Sequence, residues 1–163
     1  MARALLVGCG CRGRELGLRL LDAGWQVRGT TRREAGLAAI EAAGIEPVLA
    51  DPDRVVTVLD HVEGVSAIGW LLGSIRAEPE AIESIHGPRL ARLCEEVVDT
   101  PVRGMVYDAV GSVDAGHLRE GVRTLSRASE RWRIPFELVE QDPSDWRAWV
   151  NAAAAAFTRL TAG

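Results

Sequence analysis

Residues 4–16 read Ala-Leu-Leu-Val-Gly-Cys-Gly-Cys-Arg-Gly-Arg-Glu-Leu. The apolar run from Ala4 to Val7 stops at a glycine, as a parallel strand buried on both faces does. Gly8, Gly10 and Gly13 follow with the spacing G-x-G-x-x-G. From Arg14 to Ala23 a helix is expected, with Leu16, Leu20 and Leu21 at helical intervals and Gly24 closing it. In that setting each glycine has a task. Gly8 permits the tight turn, Gly10 lets a pyrophosphate approach the backbone, and Gly13 lets the helix pack on the strand. The helix N-terminus adds free N–H groups and a positive dipole end. Gly8, Cys9, Gly10, Cys11, Arg12 and Gly13 are therefore the expected cofactor-binding loop.

The alternation continues along the chain. Trp25 to Gly29 reads as a second strand, and Thr31 with Glu34 as a capping box for a helix ending at Gly44. Ile45 to Ala50 is a third strand, with Pro47 pointing to a sheet edge. Asp51-Pro52 reads as an N-cap followed by proline, opening a helix towards His61. Val65 to Leu72 is a fourth strand, Pro88 to Val98 a helix, and Val102 to Val110 a fifth strand. Asp114 caps a helix to Trp132, Phe136 to Val139 is a sixth strand, and Asp142-Pro143 opens a last helix to Leu160. Such alternation with short connections predicts an α/β fold: a doubly wound, six-stranded parallel sheet of the Rossmann type. With 163 residues and no composition break, one dinucleotide-binding domain over 1–163 is expected.

The end of the second strand bears on the choice of dinucleotide. An NAD site places Asp or Glu there, about 20 residues beyond the loop, to bond the ribose 2′-hydroxyl. Here the segment is Arg28-Gly-Thr-Thr-Arg-Arg33, and the first carboxylate is Glu34. Thr31, Arg32 and Arg33 suit a 2′-phosphate, because guanidinium groups bind phosphate bidentately. First-turn arginines also oppose the helix dipole unless an anion is present. NADP(H) is favoured over NAD(H).

These residues resemble the extended and atypical short-chain dehydrogenase/reductases, including the NAD(P)-dependent epimerase/dehydratase and NmrA-like branches. The glycine loop, the Val27–Arg32 segment, Val48-Leu-Ala-Asp51, the helix around His86–Leu93 and Met105–Ser112 each resemble a segment of those families. The resemblance implies Asp51 near the adenine and Leu71, Leu72, Gly73 and Ser74 on the nicotinamide side. Two departures matter. Asp108-Ala109 stands where paired serines would be, and no Tyr-x-x-x-Lys pair follows, since all 19 basic residues are arginine. The usual catalytic pair is missing. Asp108, Ser112 and His117 are the acid/base candidates left near the end of strand five. Tyr107, the only tyrosine, is expected to be packed within that strand.

Composition narrows the rest. Apolar residues make up 47% and the net charge is -4, without a basic block, so nucleic acid is not an expected partner. No stretch is long enough to span a membrane or reads as a signal peptide, and a cytoplasmic protein is expected. Cys9 and Cys11 admit either a redox-sensitive phosphate loop or small residues in a crowded turn, and the second is preferred. Cys94 is expected in the core. His61, His86 and His117 lack metal-ligand spacing, so no metal is expected. Trp146, Trp149 and the alanines after them fit packing on the sheet or a homodimer contact. Three functional readings stand: an NADP(H)-binding Rossmann protein of atypical reductase type with catalysis undecided, an oxidoreductase or epimerase acting on a small molecule, and a non-enzymatic dinucleotide sensor or regulatory partner. An S-adenosylmethionine enzyme is disfavoured, because no carboxylate follows strand two to hold the ribose.

Overall fold

A computed structural model describes residues 2–162. Six parallel strands form one sheet in the order β3-β2-β1-β4-β5-β6, comprising β1 (Arg3–Val7), β2 (Gln26–Thr31), β3 (Glu46–Leu49), β4 (Ala67–Trp70), β5 (Gly104–Asp108) and β6 (Phe136–Val139). The helices are α1 (Cys11–Asp22), α2 (Leu37–Ala42), α3 (Val55–Leu59), α4 (Pro79–Ile85), α5 (Pro88–Glu96), α6 (Ala115–Trp132) and α7 (Trp146–Thr161). The expected α/β, doubly wound parallel sheet is present. Pro47 lies in the edge strand β3, where a missing backbone donor does no harm.

Both faces of the sheet are covered, and the side-chain alternation of β1 shows how. Leu5 and Val7 join Ile68, Trp70, Met105 and Tyr107 under α3, α5 and α6. Ala4 and Leu6 join Val27, Val106 and Val139 on the other face, against Leu16, Leu20, Ile40 and the Trp149–Phe157 stretch of α7. Burial on both sides is why these strands read as unbroken apolar runs.

Several boundaries depart from expectation. The first helix starts at Cys11 rather than Arg14, so half of the glycine loop is already its first turn. The capping box does not form: the Thr31 hydroxyl bonds the backbone of Arg33, and a short 3-10 turn, Glu34–Gly36, precedes α2. Asp51 and Asp142 cap no helix. Each accepts the backbone N–H two residues on, from Asp53 and Ser144, so each makes a local turn instead. The helices begin later, at Val55 and at Trp146, the latter capped by Asp145. Strand β4 ends at Trp70, leaving Leu71 and Leu72 in a loop. The seven-residue α4 was not expected; it has proline at its start and buries only Ile85, too little to register as a pattern. Asp114 caps α6 by accepting from Gly116 N–H, and β6 has the expected bounds.

The chain winds outward from β1 to β3 and returns to the other side of β1 as β4. The strand order therefore reverses between β1 and β4, where open α/β sheets hold ligands beyond the carboxyl ends of their strands.

Candidate functional site

The glycine loop leaves β1 at this reversal. Gly8 adopts φ +97°, and a Cβ there would lie 2.6 Å from the Leu71 carbonyl oxygen. A Cβ on Gly13 would meet the Gly8 carbonyl oxygen at 2.8 Å, so α1 can approach the strand only without a side chain. A Cβ on Gly10 would meet nothing within 4 Å. Two glycines are thus required by the protein itself, while the third faces open space. Thr30 wires the loop to β2: its hydroxyl accepts from Gly8 N–H at 3.3 Å and its carbonyl from Cys9 N–H at 3.1 Å. Cys9 packs against Gly29, and burial pushes its thiol up to about 12, so it stays protonated. That is the small-residue role and the opposite of an activated thiol.

No side chain caps α1, and its first turn holds no acidic residue. The Arg14 N–H makes the first helical bond, to the Gly10 carbonyl at 2.8 Å. The N–H groups before it have no partner within the helix and face the loop side with the positive dipole end. A cleft of about 600 Å3 opens in front of them. Gly8, Cys9, Gly10, Arg12, Thr31, Arg32, Arg33, Leu71 and Leu72 line it from the expected set. Thr30 and Ser74, from the segments of Thr31 and of Leu71, line it as well, and Arg14, Gly36, Pro52, Ile75 and Arg76 complete it without having been expected there. Ile75 and Arg76 follow a strand end that carries no motif, so only the fold brings them over the cleft. Cys11 and Gly13 border a narrower pocket of about 140 Å3 with Gly8, Gly10, Arg12, Leu71, Asp108 and Trp149. Asp51 does not line the cleft; its neighbour Pro52 does. Gly73 lies behind it, giving its N–H to Asp108.

The charge of the main cleft is one-sided. Arg12, Arg14, Arg32, Arg33 and Arg76 line it, and no Asp or Glu does. Arg12 lies over the Trp149 ring at 5.6 Å, with its Nε buried and lacking a hydrogen-bond partner. Arg28, by contrast, belongs to the sheet: it bonds Glu46 at 2.8 Å and the His61 carbonyl at 2.6 Å.

The three acid/base candidates are not brought together. Asp108 is 1% exposed, and both its oxygens are occupied, one by Gly73 N–H at 3.1 Å and the other by Trp149 Nε1–H at 3.0 Å. Burial raises its pKa, against the lowering effect of these two donors and of Arg12. It ties the ends of β4, β5 and α7 together. Ser112 is exposed in a second cleft of about 430 Å3, shared with Arg12, Ser74, Val110, Asp142 and Ser144. His117 borders neither of these clefts. Tyr107 is buried as expected, its hydroxyl 2.6 Å from His86 Nδ1. Cys94 is fully buried in the core. Among the described residues no group of His, Cys, Asp and Glu could hold a metal, and no helix is long and apolar enough to cross a membrane.

No family model matches the chain, and no curated protein matches it. Solved structures do. BdcA from E. coli superposes with a TM-score of 0.72 at 16% identity, over 96% of this chain and 93% of that one. UDP-glucuronic acid 4-epimerase from Bacillus cereus, in complex with NAD, gives 0.63 at 12% identity over 86% of this chain and 56% of the epimerase. A short-chain dehydrogenase/reductase superfamily protein from Agrobacterium tumefaciens, with bound NAD, gives 0.65 at 18% identity over 83% and 48%. The chain thus spans about half the length of the last two. The resemblance read from the sequence holds at the level of fold: this is the Rossmann fold of reductase and epimerase structures.

Proposed function

We propose that the protein binds a nicotinamide dinucleotide across the β1/β4 reversal, NADP(H) in preference to NAD(H). The observation carrying this reading is the one-sided cleft, with five arginines and no carboxylate around an uncapped helix N-terminus and an open Gly10. The diphosphate would rest on the loop from Gly8 to Gly13, where backbone N–H groups and Arg12 can reach it. The adenosine half would run towards Thr31, Arg32 and Arg33, with Asp51 beyond the rim. The nicotinamide half would run past Leu71, Leu72 and Gly73 into the 430 Å3 cleft, which Arg12 joins to the first. The neighbours with bound NAD support a dinucleotide; the missing carboxylate after β2 supports the phosphorylated form.

A bound nicotinamide would supply hydride transfer. What the chain's own residues supply is positioning more than proton transfer. Asp108 is engaged with two donors, and around the second cleft stand the hydroxyls of Ser74, Ser112 and Ser144 and one carboxylate, Asp142, which the Ser144 backbone and side chain hold below its usual pKa. A dinucleotide-binding protein with slow or absent turnover of carbonyl and sugar-nucleotide substrates fits this best. The second cleft is the feature that favours a reductase instead. Thermal denaturation with NADPH, NADH and S-adenosylmethionine tests the binding reading, because a ligand of the folded state alone raises apparent stability by RT ln(1 + [L]/Kd). NADPH should give the largest shift and S-adenosylmethionine none. Equal shifts with NADPH and NADH would remove the phosphate preference. Rapid NADPH oxidation with a carbonyl panel, abolished by Ser112→Ala, would establish the reductase reading.

A further inference from the structure

We propose that Arg76, on the loop after β4, joins Arg33 in holding the 2′-phosphate of NADP(H), and that Arg32 positions Arg76 rather than binding the phosphate. This rests on the NADP(H) reading above. The sequence puts Arg32 and Arg33 side by side, but their surroundings differ. Arg32 reaches across the cleft and donates from its terminal nitrogen to the Arg76 carbonyl at 3.1 Å. That bond ties the end of β2 to the loop after β4, two segments 44 residues apart in the chain.

Of the other four arginines of the cleft, Arg12 lies over the Trp149 ring and Arg14 donates to the Cys11 sulfur, which leaves the guanidinium groups of Arg33 and Arg76. Both residues are exposed, both line the 600 Å3 cleft, and neither side chain has a hydrogen bond or ion pair among the described residues. The carboxylates nearest to them in sequence, Glu34 at the head of the 3-10 turn and Glu78 before α4, do not line the cleft. Arg33 is presented by the turn that the Thr31 hydroxyl fixes through the Arg33 backbone. Arg76 is presented from the opposite wall, its backbone held by Arg32. The loop behind it is anchored as well: the Ser74 hydroxyl accepts from Ser112 N–H at 3.2 Å, and the Gly73 carbonyl from Val113 N–H at 3.0 Å. Two arginines from facing walls can approach a phosphate dianion from two sides.

The test measures binding of NADPH, NADH, adenosine 2′,5′-bisphosphate and 5′-AMP by calorimetry to wild type, Arg76→Met, Arg32→Ala and Arg32→Lys. Hydrogen exchange of residues 73–78 is followed alongside. Arg76→Met is expected to weaken NADPH and the bisphosphate at least tenfold while changing NADH and 5′-AMP less than twofold. Arg32→Ala should speed amide exchange in 73–78 and weaken NADPH through that loop, and Arg32→Lys, which can still reach the carbonyl, should restore both. If wild type prefers NADPH but Arg76→Met leaves the NADPH/NADH ratio unchanged, the Arg76 assignment is overturned and the cofactor reading survives. Wild type without preference for the phosphorylated ligands overturns both. Loss of phosphate preference in Arg32→Ala with unchanged loop exchange returns Arg32 to the phosphate itself and overturns its positioning role.

Discussion

Three glycines of one motif make different demands on their surroundings, and substitution should separate them. Gly10 has φ -82° and open space where a Cβ would go, so Gly10→Ala should leave the fold within about 1 kcal/mol of wild type. Gly13→Ala places its methyl 2.8 Å from the Gly8 carbonyl, an atom of the backbone that cannot swing aside. The expected loss is on the order of 1–3 kcal/mol, as for overpacking elsewhere. Urea denaturation gives the stabilities and NADPH titration the affinities. Gly10→Ala should keep its midpoint while weakening the dinucleotide, and the bulkier Gly10→Val should abolish binding in a folded protein. A Gly10→Val protein with unimpaired NADPH affinity would show that the loop is only a turn. The identity of these glycines was legible in the sequence because steric need fixes both residue type and spacing. The differing fates of Arg32 and Arg33 were not, because a bond to a carbonyl 44 residues away leaves no local trace.

Elements are keyed to one another through a few buried polar contacts, and His86 at the end of α4 is the clearest. It is 1% exposed. Its Nε2 lies 3.0 Å from the Leu72 carbonyl, which can only accept, so Nε2 carries the hydrogen and Nδ1 accepts from the Tyr107 hydroxyl. Burial lowers the pKa of His86 from 6.5 to about 4, with a partial offset from the Leu72 carbonyl and a further lowering from His117. A base whose pKa falls on folding takes up its proton more readily when unfolded. Its contribution is thus present above pH 6.5 and is lost as pH falls from there towards about 4, by on the order of 3 kcal/mol in all. Urea midpoints across that window should decline more steeply in wild type than in His86→Gln, which has no titrating ring. Parallel profiles would assign the acid sensitivity to other groups. Among the described residues, the sequence pattern was enough to identify six of the seven α-helices and all six strands in outline. It could not mark the start of α3 or α7, where Asp51 and Asp142 make turns that look like caps in sequence. Nor could it find α4, whose one buried residue is too few for a pattern.

Over the whole molecule, parallel pairing sends every strand the same way, so the sheet has one edge for ligands and another for returns. The glycine loop, Leu71–Arg76 and the Val110–Ser112 segment gather at the carboxyl ends of the strands. Among the described residues, four of the five with left-handed backbone, Gly24, Gly44, Gly64 and Arg133, lie in helix-to-strand returns at the other edge; the fifth is Gly8. Those returns face solvent and border none of the clefts described above. A short Gly/Ser insertion after Asp99, in the return from α5 to β5, should leave NADPH affinity within about twofold, whereas the same insertion after Arg76 should abolish the phosphate preference. Equal effects at both places would mean that the two edges communicate. If they do not, the molecule has a natural back. A dye, a tether or a fused reporter attached there would leave the arginine-lined mouth unobstructed. A layer of the protein immobilised through its return turns would present that mouth to the solution in one orientation.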